Sequence, residues 1–392
     1  MIDFDFVSPT KIYFGRGKED LIGDILSKEG AKTVLIVYGS DRIRREGLLP
    51  KVEASILAKG ISYRELSGIR ANPVAEKVRE GVALSRKEGV DFILAIGGGS
   101  VIDTAKSIAV GFYHQGDPFD FNLKKAVPEK ALPVGVILTF GSAGSEASSS
   151  CVIQDDEAKI KQGFNSDLVR PRFVIENPEL SFSLPKYQTF AGISDIMMHS
   201  LERYFDPSGD NELADEWALD LVKSTMEAAK VLLNDPLNYE ARARVMLNST
   251  LSHNGLTGLG KPFFFVVHPL EHALSGYLPS ITHGAGVALL FPAWAKVKRK
   301  ENEAKLAKMG RRLFNILSPF DEEASIIAIE SIRDFFSSIG MPGSLNELGL
   351  TQKDIEPLVA LASGNGTRVI GCYPQSLDTE DMRKIFASLL TK

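Results

Sequence analysis

The chain has 392 residues, of which 44% are hydrophobic and 24% charged, with a formal net charge of −5 and an isoelectric point near 5.8. This length exceeds what one hydrophobic core usually serves, so two domains are expected. The slightly acidic balance gives no reason to expect nucleic acid or an anionic membrane as a partner. The two cysteines lack metal-binding or disulfide spacing, and no signal sequence or membrane-spanning run is found. These features favour a cytoplasmic protein.

The first half of the sequence alternates short apolar, β-branched runs with segments of helical period. Strands are predicted at residues 33–38, 92–96, 134–138 and 172–175, and helices at about 47–59 and 100–110. Continuous apolar strands separated by helices are typical of a mostly parallel sheet covered on both faces. The sequence therefore predicts an α/β domain.

From about Leu184 onward, segments of helical period dominate and no strand alternation is found. The predicted helices cover residues 212–233, 240–251, 301–314 and 322–338. The apolar run at 263–267 is also expected to be helical, and packing in the core is a more common role for it than forming a wall of the substrate site. The predicted domains are therefore an α/β domain of residues 1–184 and an all-helical domain of residues 185–392.

Histidines are concentrated in the helical half. Asp195 and His199 form one pair four residues apart, His268 and His272 form another, and His283 follows shortly afterwards. Residues four apart share a face of a helix, and imidazoles with a carboxylate suit iron or zinc better than calcium or magnesium. The spacing predicts a metal site but does not distinguish His268 from His272. The two histidines without such partners are interpreted as structural, namely His114 and His253.

Two glycine-rich or small-residue segments follow predicted strands. Gly97–Ser100 lies where a strand ends and a helix begins, a position at which unpaired backbone N–H groups favour a phosphate. The alternative is a tight turn that needs glycine for its geometry alone. The segment Thr139–Glu146 has small residues and hydroxyls suited to a cofactor cleft, but a flexible polar loop explains it equally well.

Several motifs together carry a resemblance to a known family. The segment Gly97–Lys106, the Thr139–Glu146 loop, the two four-residue pairs and Thr282–Gly284 resemble, in the same order, motifs of the iron-containing (group III) alcohol dehydrogenases. The segments 283–286 and 291–294 are most similar to the NADP-dependent butanol dehydrogenase and aldehyde reductase branch. The resemblance covers almost the whole chain. It implies a Rossmann-like, dinucleotide-binding N-terminal domain and an all-helical, metal-binding catalytic domain, as in the dehydroquinate synthase-like fold.

The resemblance also assigns roles to residues that the spacing left open. It implies one divalent metal, Fe²⁺ or Zn²⁺, with the ligands Asp195, His199, His268 and His283. His272 is then not a ligand but lies near the nicotinamide and the substrate. There it is the candidate catalytic residue for relaying a proton, and a structural histidine is the equally weighted alternative. The residues implied in cofactor binding are Gly39, Ser40, Asn72, Gly97, Gly98, Gly99, Ser100, Asp103, Thr139, Ser142 and Lys161.

The residues after the first predicted strand bear on cofactor choice. NAD-preferring members of the family carry an aspartate two positions beyond Val37, where this chain has Gly39. Without that carboxylate, a basic side chain nearby could pair with a 2′-phosphate, and the candidates are Arg42, Arg44 and Arg45. NADP(H) is therefore favoured over NAD(H), although Asp41 weighs against this preference.

The expected activity is hydride transfer between NADP(H) and short-to-medium-chain alcohols or aldehydes, by an NAD(P)-dependent alcohol dehydrogenase. The resemblance also implies a homodimer that pairs through the strand at 11–14. Three alternatives remain at this point: a dehydroquinate synthase-like lyase, a glycerol dehydrogenase-like NAD-dependent metalloenzyme and a nucleotide-binding protein without redox activity. The lyase would need a basic cluster for a phosphorylated substrate, which is not found around residues 195–283.

Overall fold

The computed structural model describes residues 1–262 and 264–391 and divides the chain into two compact units. Residues 7–183 form an α/β unit, and the chain from Leu184 onward forms a helical unit. Residues 1–6 belong to the helical unit rather than to the α/β domain expected from the sequence. There the backbone N–H of Ile2 donates to the carbonyl of Gly260 at 3.3 Å.

The α/β unit is built on a six-stranded sheet in the order β1-β8-β5-β4-β2-β3, in which every pair of neighbours is parallel. A separate antiparallel pair is formed by β6 and β7. The strands are β1 (Lys11–Phe14), β2 (Thr33–Tyr38), β3 (Ser62–Leu66), β4 (Phe92–Gly97), β5 (Val134–Leu138), β6 (Ser150–Asp155), β7 (Ile160–Asn165) and β8 (Phe173–Glu176).

The predicted parallel sheet is confirmed, since the four strands expected from apolar runs correspond to β2, β4, β5 and β8. These strands lie inside the sheet and are almost fully buried. The sequence analysis missed β3, which lies at an edge of the sheet and has only one buried residue, Leu66. An edge strand with a solvent-facing side does not give a continuous apolar run.

The helices of the α/β unit are α1 (Ile22–Lys28), α2 (Arg42–Arg45), α3 (Leu48–Leu57), α4 (Ala75–Glu88) and α5 (Gly99–Gly111). Apolar side chains of α1 and α3 pack with β2 and β4 in one buried cluster, which includes Leu26, Val52, Ile36 and Leu94. Helix α5 follows β4 after a turn at Gly98, which places its first residues at the carboxyl end of the sheet.

The helical unit contains the longest helices. They are α6 (Lys186–Phe205), α7 (Glu212–Asn234), α8 (Tyr239–His253), α9 (Val267–Tyr277), α10 (His283–Val297), α11 (Glu303–Phe314), α12 (Asp321–Ser338), α13 (Ile355–Ser363) and α14 (Thr379–Ser388). The four helices predicted in this half correspond to α7, α8, α11 and α12, so the all-helical prediction is confirmed. No helix in the described residues is long and apolar enough to cross a membrane.

The prediction of a helix over 263–267 is wrong for residues 264–266. Phe263 lies outside the described residues, and 264–266 are not helical, because α9 begins at Val267. The carboxylate of Glu202 accepts hydrogen bonds from the backbone N–H groups of Val266 and Val267, at 2.5 and 2.6 Å. These N–H groups are therefore satisfied by a side chain on another helix rather than by a preceding helical turn.

Candidate functional site

Helix α6 carries the first part of the site. Asp195, His199 and Glu202 lie at positions i, i+4 and i+7, so they share one face of the helix. The helix is buried along most of its length, and the three residues are at most 5% exposed. Polar side chains on a buried helix face need hydrogen-bonding or oppositely charged partners, because burying unpaired charged groups is costly.

Helices α9 and α10 bring the other histidines to this face. His268 is the second residue of α9, and His283 is the first residue of α10. Two glycines allow α10 to approach its neighbours closely. A Cβ atom at Gly284 would lie 1.8 Å from the carbonyl oxygen of Ala191 on α6, and one at Gly286 would lie 2.7 Å from Cγ of Glu271 on α9.

The four expected ligands meet around the Asp195 carboxylate. Its Oδ1 lies 3.3 Å from Nδ1 of His199 and 3.6 Å from Nε2 of both His268 and His283. Donor atoms of Asp195, His199 and His268 all lie within 4.8 Å of one another. Donors that share a tetrahedral Zn²⁺ at bond lengths near 2.1 Å are about 3.4 Å apart, so the distances from Oδ1 of Asp195 to Nε2 of His268 and His283 fit one cation of this size.

Two buried atoms at this point make no hydrogen bond to any described residue, namely Oδ1 of Asp195 and Nε2 of His268. Buried polar atoms are nearly always paired, and a metal ion is one partner that would satisfy both of these. The donor set of three imidazoles and one carboxylate suits a transition metal. The residues present therefore fit the divalent metal that the sequence led us to expect.

Each imidazole has an acceptor at its Nδ1. His268 Nδ1 donates to Oε2 of Glu202, His283 Nδ1 donates to Oε2 of Glu271, and His199 Nδ1 donates to the Asp195 carbonyl at 2.9 Å. A carboxylate or carbonyl can only accept, so Nδ1 carries the hydrogen. The lone pair of each ring is then at Nε2, as in many metal sites where a carboxylate or carbonyl orients the histidine.

Burial and neighbouring groups shift the pKa values of Asp195, His199 and His268. Burial alone would raise the pKa of Asp195, but its interactions with the surrounding imidazoles outweigh burial and hold that pKa well below its usual range. Burial lowers the pKa of His268, but the negative charges of Glu202 and Asp195 outweigh burial and raise that pKa to about 9. Burial lowers the pKa of His199, which keeps its ring neutral.

The remaining histidines are not among the four residues that meet at the Asp195 carboxylate. His272 lies one turn after His268 on α9, and its ring centroid is 5.7 Å from that of His283. His253, which the sequence analysis interpreted as structural, packs its ring edge-on against the His199 ring, with centroids 4.2 Å apart. Its Nδ1 accepts a hydrogen bond from Arg203. His114 lies in the α/β unit beside Asp120, at 3.3 Å.

Sequence reasoning missed both supporting carboxylates. Glu202 follows His199 by three residues and Glu271 follows His268 by three, so each shares a helical face with a proposed ligand. That spacing was a usable signal, but glutamate is common on exposed helix surfaces and burial was not evident from the sequence. Glu271 is fully buried and Glu202 is 5% exposed.

The glycine turn that follows β4 has the geometry of a close backbone approach. Gly97 ends β4, Gly98 precedes α5, and Gly99 and Ser100 are the first residues of α5, whose start is not capped by a side chain. A Cβ at Gly98 would lie 2.4 Å from the ring of Phe140, and one at Gly99 would lie 3.0 Å from Cβ of Ala143. The glycines thus let the Phe140 ring and Ala143 pack directly against the turn, and the uncapped backbone N–H groups at the start of α5 suit a phosphate.

Other expected cofactor residues follow the neighbouring strands at the same edge of the sheet. Gly39 and Ser40 follow β2, and Thr139 follows β5 with its N–H donating to the Gly97 carbonyl at 3.1 Å. Strand order changes direction between β2 and β4, since β3 lies on one side of β2 and β4 on the other. Nucleotides bind at such switch points in parallel α/β sheets.

The remaining expected cofactor residues are held by hydrogen bonds within the unit. Asp103, on α5, accepts from Oγ of Ser145 at 2.5 Å and from the N–H of Val152 at 3.0 Å. Lys161 on β7 donates to Oδ1 of Asn72 at 3.0 Å. Asn72 adopts a left-handed conformation with φ of 54°. The last of these expected residues, Ser142, is half-buried in the loop after β5.

Of the three arginines considered for a 2′-phosphate, Arg44 is already engaged in ion pairs. Its Nη2 lies 2.6 Å from Glu65 and 3.0 Å from Glu53. Arg42 lies 3.7 Å from Glu46 and lines a cavity of about 190 Å³ beside Thr139, with Leu180 and Phe182 as apolar walls. Arg45 is exposed.

Comparison with known proteins identifies the same family in both units. Residues 9–178 match the family model described as iron-containing alcohol dehydrogenase. Residues 189–390 match the model described as the C-terminal region of the Fe-containing alcohol dehydrogenase family. The two matches cover the sheet that carries the glycine turn and the helices that carry the candidate metal ligands.

Individual relatives align over nearly the full length. NADH-dependent butanol dehydrogenase A of Clostridium acetobutylicum is 37% identical over 98% of this chain and 99% of its own. NADPH-dependent aldehyde reductase YqhD of Escherichia coli is 32% identical over 95% of each. The crystal structure of NADH-dependent butanol dehydrogenase A from Thermotoga maritima superposes with a TM-score of 0.94 at 34% identity, covering 100% of this chain and 99% of that one. The chain is an NAD(P)-dependent oxidoreductase that belongs to the iron-containing alcohol dehydrogenase family.

Proposed function

We propose that this enzyme transfers hydride between NADP(H) and short-to-medium-chain alcohols or aldehydes, using one divalent metal, Fe²⁺ or Zn²⁺. The observation that carries the proposal is the meeting of Asp195, His199, His268 and His283, with Oδ1 of Asp195 within 3.6 Å of a nitrogen of each histidine. The chemistry that the metal supplies there is Lewis-acid polarisation of the substrate's carbonyl group. The four side chains would hold the cation.

The apolar substrate class is supported by an aromatic neighbour of the metal ligands. The ring of Phe265 stacks on that of His268, with centroids 4.6 Å apart and an angle of 21° between the rings. It also lies 5.8 Å from the His199 ring. An aromatic face at this position favours an alkyl chain over a polyhydroxylated one, because burying hydroxyl groups against it leaves them without partners.

The lyase alternative is less well supported, because buried basic side chains of the described helical unit are engaged in structural contacts. Arg203 donates to the carbonyls of His199 and Ser252, at 2.6 and 3.1 Å. Lys261 pairs with Asp215 and donates to the Arg203 carbonyl at 2.9 Å. These contacts stabilise the ends of α6 and α8 rather than offer a site for a phosphorylated substrate.

A direct assay tests the proposed activity. Purified protein is mixed with butanal and either NADPH or NADH, and oxidation of the cofactor is followed by absorbance. We expect oxidation that is lost when a chelator removes the metal and restored by Fe²⁺ or Zn²⁺. An inactive protein that contains the metal and binds the cofactor would contradict the proposal.

His272 is proposed as the residue that gives a proton to the reduced carbonyl oxygen. It lies beside His283 but is not among the residues that meet at the Asp195 carboxylate, and imidazole both accepts and donates protons near neutral pH. Replacing it in His272→Ala should lower kcat about 100-fold at neutral pH while metal content is retained. An unchanged kcat across the pH range would remove His272 from the mechanism.

A preference for NADP(H) is proposed from the residues after β2. The names of similar relatives do not decide this point, because some are named for NADH and others for NADPH. Gly39 provides no carboxylate at this position, and Arg42 lines the neighbouring cavity. Arg44 is less suited than expected, because its ion pairs with Glu65 and Glu53 already use its charge.

The variant Gly39→Asp tests this preference. A carboxylate at this position binds the ribose hydroxyls of NAD and repels a 2′-phosphate, so the ratio of kcat/KM for NADPH over NADH should fall at least about tenfold. A Cβ here would lie 3.1 Å from the Ile69 carbonyl, so Gly39→Ala is the control for steric effects. A higher kcat/KM with NADH in the unmodified enzyme would contradict the proposal directly.

The oligomer is proposed to be a homodimer that pairs through β1. This strand lies at an edge of the sheet, where unpaired backbone groups are available to another strand, and its Ile12 is 37% exposed. Light scattering should give twice the chain mass of 42.8 kDa. A monomeric mass at micromolar concentration would contradict the proposal.

A further inference from the structure

Glu271 is a fully buried carboxylate that the proposed hydride transfer does not use. It lies on α9, three residues after His268 and directly before His272. A buried carboxylate is costly unless hydrogen bonds and nearby positive charge offset its desolvation. Its partners therefore indicate what the residue does.

Both oxygens of the Glu271 carboxylate accept a hydrogen bond. Oε2 accepts from Nδ1 of His283, and Oε1 accepts from Oγ of Ser275 one turn further along α9. The first bond fixes the orientation of the His283 ring. With its hydrogen held at Nδ1, the ring presents the lone pair of Nε2 to Oδ1 of Asp195, 3.6 Å away.

The backbone of α10 leaves space for this contact. A Cβ at Gly286 would lie 2.7 Å from Cγ and 3.2 Å from Oε1 of Glu271, so only glycine leaves room for the glutamate side chain. His283 is the first residue of α10, and its neighbour Gly284 approaches α6 closely. The position of the His283 backbone is thus set by helix packing, and the direction of its ring is set by Glu271.

His283 depends on such a partner more than the other proposed ligands do. Its side chain is 23% exposed, whereas those of His199 and His268 are 6% and 5% exposed. Surrounding side chains restrict a buried ring on all sides, but a partly exposed ring can rotate toward solvent. A hydrogen bond to a fixed carboxylate removes that freedom.

We propose that Glu271 is a positioning residue that holds His283 in its metal-binding orientation and thereby sets the affinity of the site for the metal. This inference rests on the proposed metal site. It assigns Glu271 no contact with substrate or cofactor, and its effect is on how tightly the metal is held. The carboxylate charge adds a second contribution, because a buried anion near the site favours a cation.

Glu271 is a cleaner test of such a role than Glu202. The Glu202 carboxylate also accepts from the backbone N–H groups of Val266, Val267 and His268, so its removal would disturb the start of α9. The Glu271 contacts with His283 and Ser275 are made by side chains. Their loss leaves the backbone hydrogen bonds of both helices in place.

The experiment measures zinc affinity in metal-free protein, by competition with a chromophoric chelator. Glu271→Ala should weaken Zn²⁺ binding by about 10- to 100-fold, which is typical when the partner of a ligating histidine is removed. Glu271→Gln keeps an acceptor for Nδ1 but loses the charge, so its affinity should lie between those of Glu271→Ala and the unmodified protein. Ser275→Ala is the matched control: it leaves the contact with His283 intact and should bind within about threefold of the unmodified protein.

Cobalt spectra give a readout that a merely structural role would not change. The visible absorption of bound Co²⁺ reports the ligands around it, so the Glu271→Ala spectrum should approach that of His283→Ala. If Glu271→Ala does not fold, Glu271→Gln serves instead and should bind Zn²⁺ at least about threefold more weakly than the unmodified protein.

Two results have distinct meanings. Glutamine and alanine variants that bind Zn²⁺ as tightly as the unmodified protein and keep its Co²⁺ spectrum would overturn the positioning role while leaving the metal site intact. Failure of the unmodified protein to bind Zn²⁺ or Co²⁺ would instead refute the metal site of the proposed function.

Discussion

The candidate metal centre and the glycine turn are built in opposite ways. At the metal centre, side chains from α6, α9 and α10 converge, and each histidine has an acceptor at Nδ1. At the turn after β4, the glycines themselves carry no side chain, the Phe140 ring and Ala143 pack against them, and the start of α5 has no side-chain cap. The metal centre depends on the presence of donor side chains. The turn depends on the absence of a Cβ at Gly98 and Gly99, where Phe140 and Ala143 leave little room for one.

This difference determines how each site responds to substitution. Removing a side chain at the metal centre leaves buried charges without a partner, so metal and activity should be lost together. Adding a side chain at the turn creates a steric overlap, so cofactor binding should weaken while metal is retained. Effects on metal content and on cofactor binding can therefore be measured separately.

The largest effect is expected for His268→Ala. Its Nε2 is buried without a hydrogen bond to any described residue, in line with a role as a metal ligand. We predict loss of bound metal and a fall in kcat of at least about a thousandfold, because metal polarisation contributes several kcal/mol to stabilising the transition state. Metal content is measured by mass spectrometry and kcat by the butanal assay.

His114→Ala is the matched control, since His114 lies in the α/β unit and pairs with Asp120. It should retain both metal and activity. Full activity or a full metal content in His268→Ala would contradict this prediction, because the metal centre would then not depend on the His268 side chain.

A smaller and more selective effect is expected for Gly98→Ala. The added Cβ would lie 2.4 Å from the Phe140 ring, so the turn or the ring must move. The KM for the cofactor should rise about tenfold while metal content stays unchanged. A second substitution, Phe140→Ala, should recover part of the loss by removing the ring.

The prediction for Gly98→Ala fails if cofactor affinity is unchanged, or if metal is lost to the same extent as activity. The second outcome would mean that the two sites cannot be separated by substitution. Fluorescence titration with NADPH, together with metal analysis of the same preparation, distinguishes these cases.

The smallest effect is a pH dependence of stability that arises from Lys106 on α5. Burial lowers the pKa of this lysine to about 8 from its ordinary 10.5, even though the charge of Asp103 acts in the opposite direction. The ammonium group donates to the carbonyls of Ser148 and Ser150, at 2.9 and 2.8 Å. Lys106→Met should lower the free energy of unfolding by about 2 kcal/mol at pH 7, because two buried carbonyls lose a donor.

The sign of the pH effect follows from proton binding. Between pH 8 and 10.5 the unfolded chain keeps the Lys106 proton while the folded chain has lost it, so wild-type stability rises with pH in this window. The stability difference between wild type and Lys106→Met should therefore grow by about 1 kcal/mol per pH unit above pH 8. Denaturant unfolding at pH 7, 8, 9 and 10 checks this, and a constant difference would contradict the assigned pKa.

The sequence allowed the parallel sheet to be predicted because its inner strands are apolar on both faces. The strands β2, β4 and β5 are buried along almost their whole length, so their sequences are continuous apolar runs. The strand β3 and the pair β6–β7 are partly exposed and gave no comparable pattern. The strands that the sequence did not predict are therefore the ones that are only partly buried.

Spacing on helices was enough to predict a metal site but not to select its ligands. His268 and His272 both follow the four-residue pattern, and only the packing of α9 against α6 places His268 with Asp195. The resemblance to the family, rather than the spacing, selected His268 over His272 as the ligand. Periodicity alone does not contain the packing of helices that are distant in sequence.

Partners brought together by the fold were the hardest to predict. Glu202 and Glu271 contact histidines 66 and 12 residues away in the sequence. Arg44 was a candidate for phosphate binding until its contacts with Glu53 and Glu65 became visible. Such pairs depend on which surfaces meet after folding, and no local pattern reports them.

Anomalous X-ray diffraction from crystals grown with Zn²⁺ tests the metal site most directly. The account predicts one strong anomalous peak in each chain, about 2.0–2.2 Å from a carboxylate oxygen of Asp195 and from Nε2 of His199, His268 and His283. A crystal in which zinc binds elsewhere, or in which these four side chains surround no anomalous peak, would contradict it.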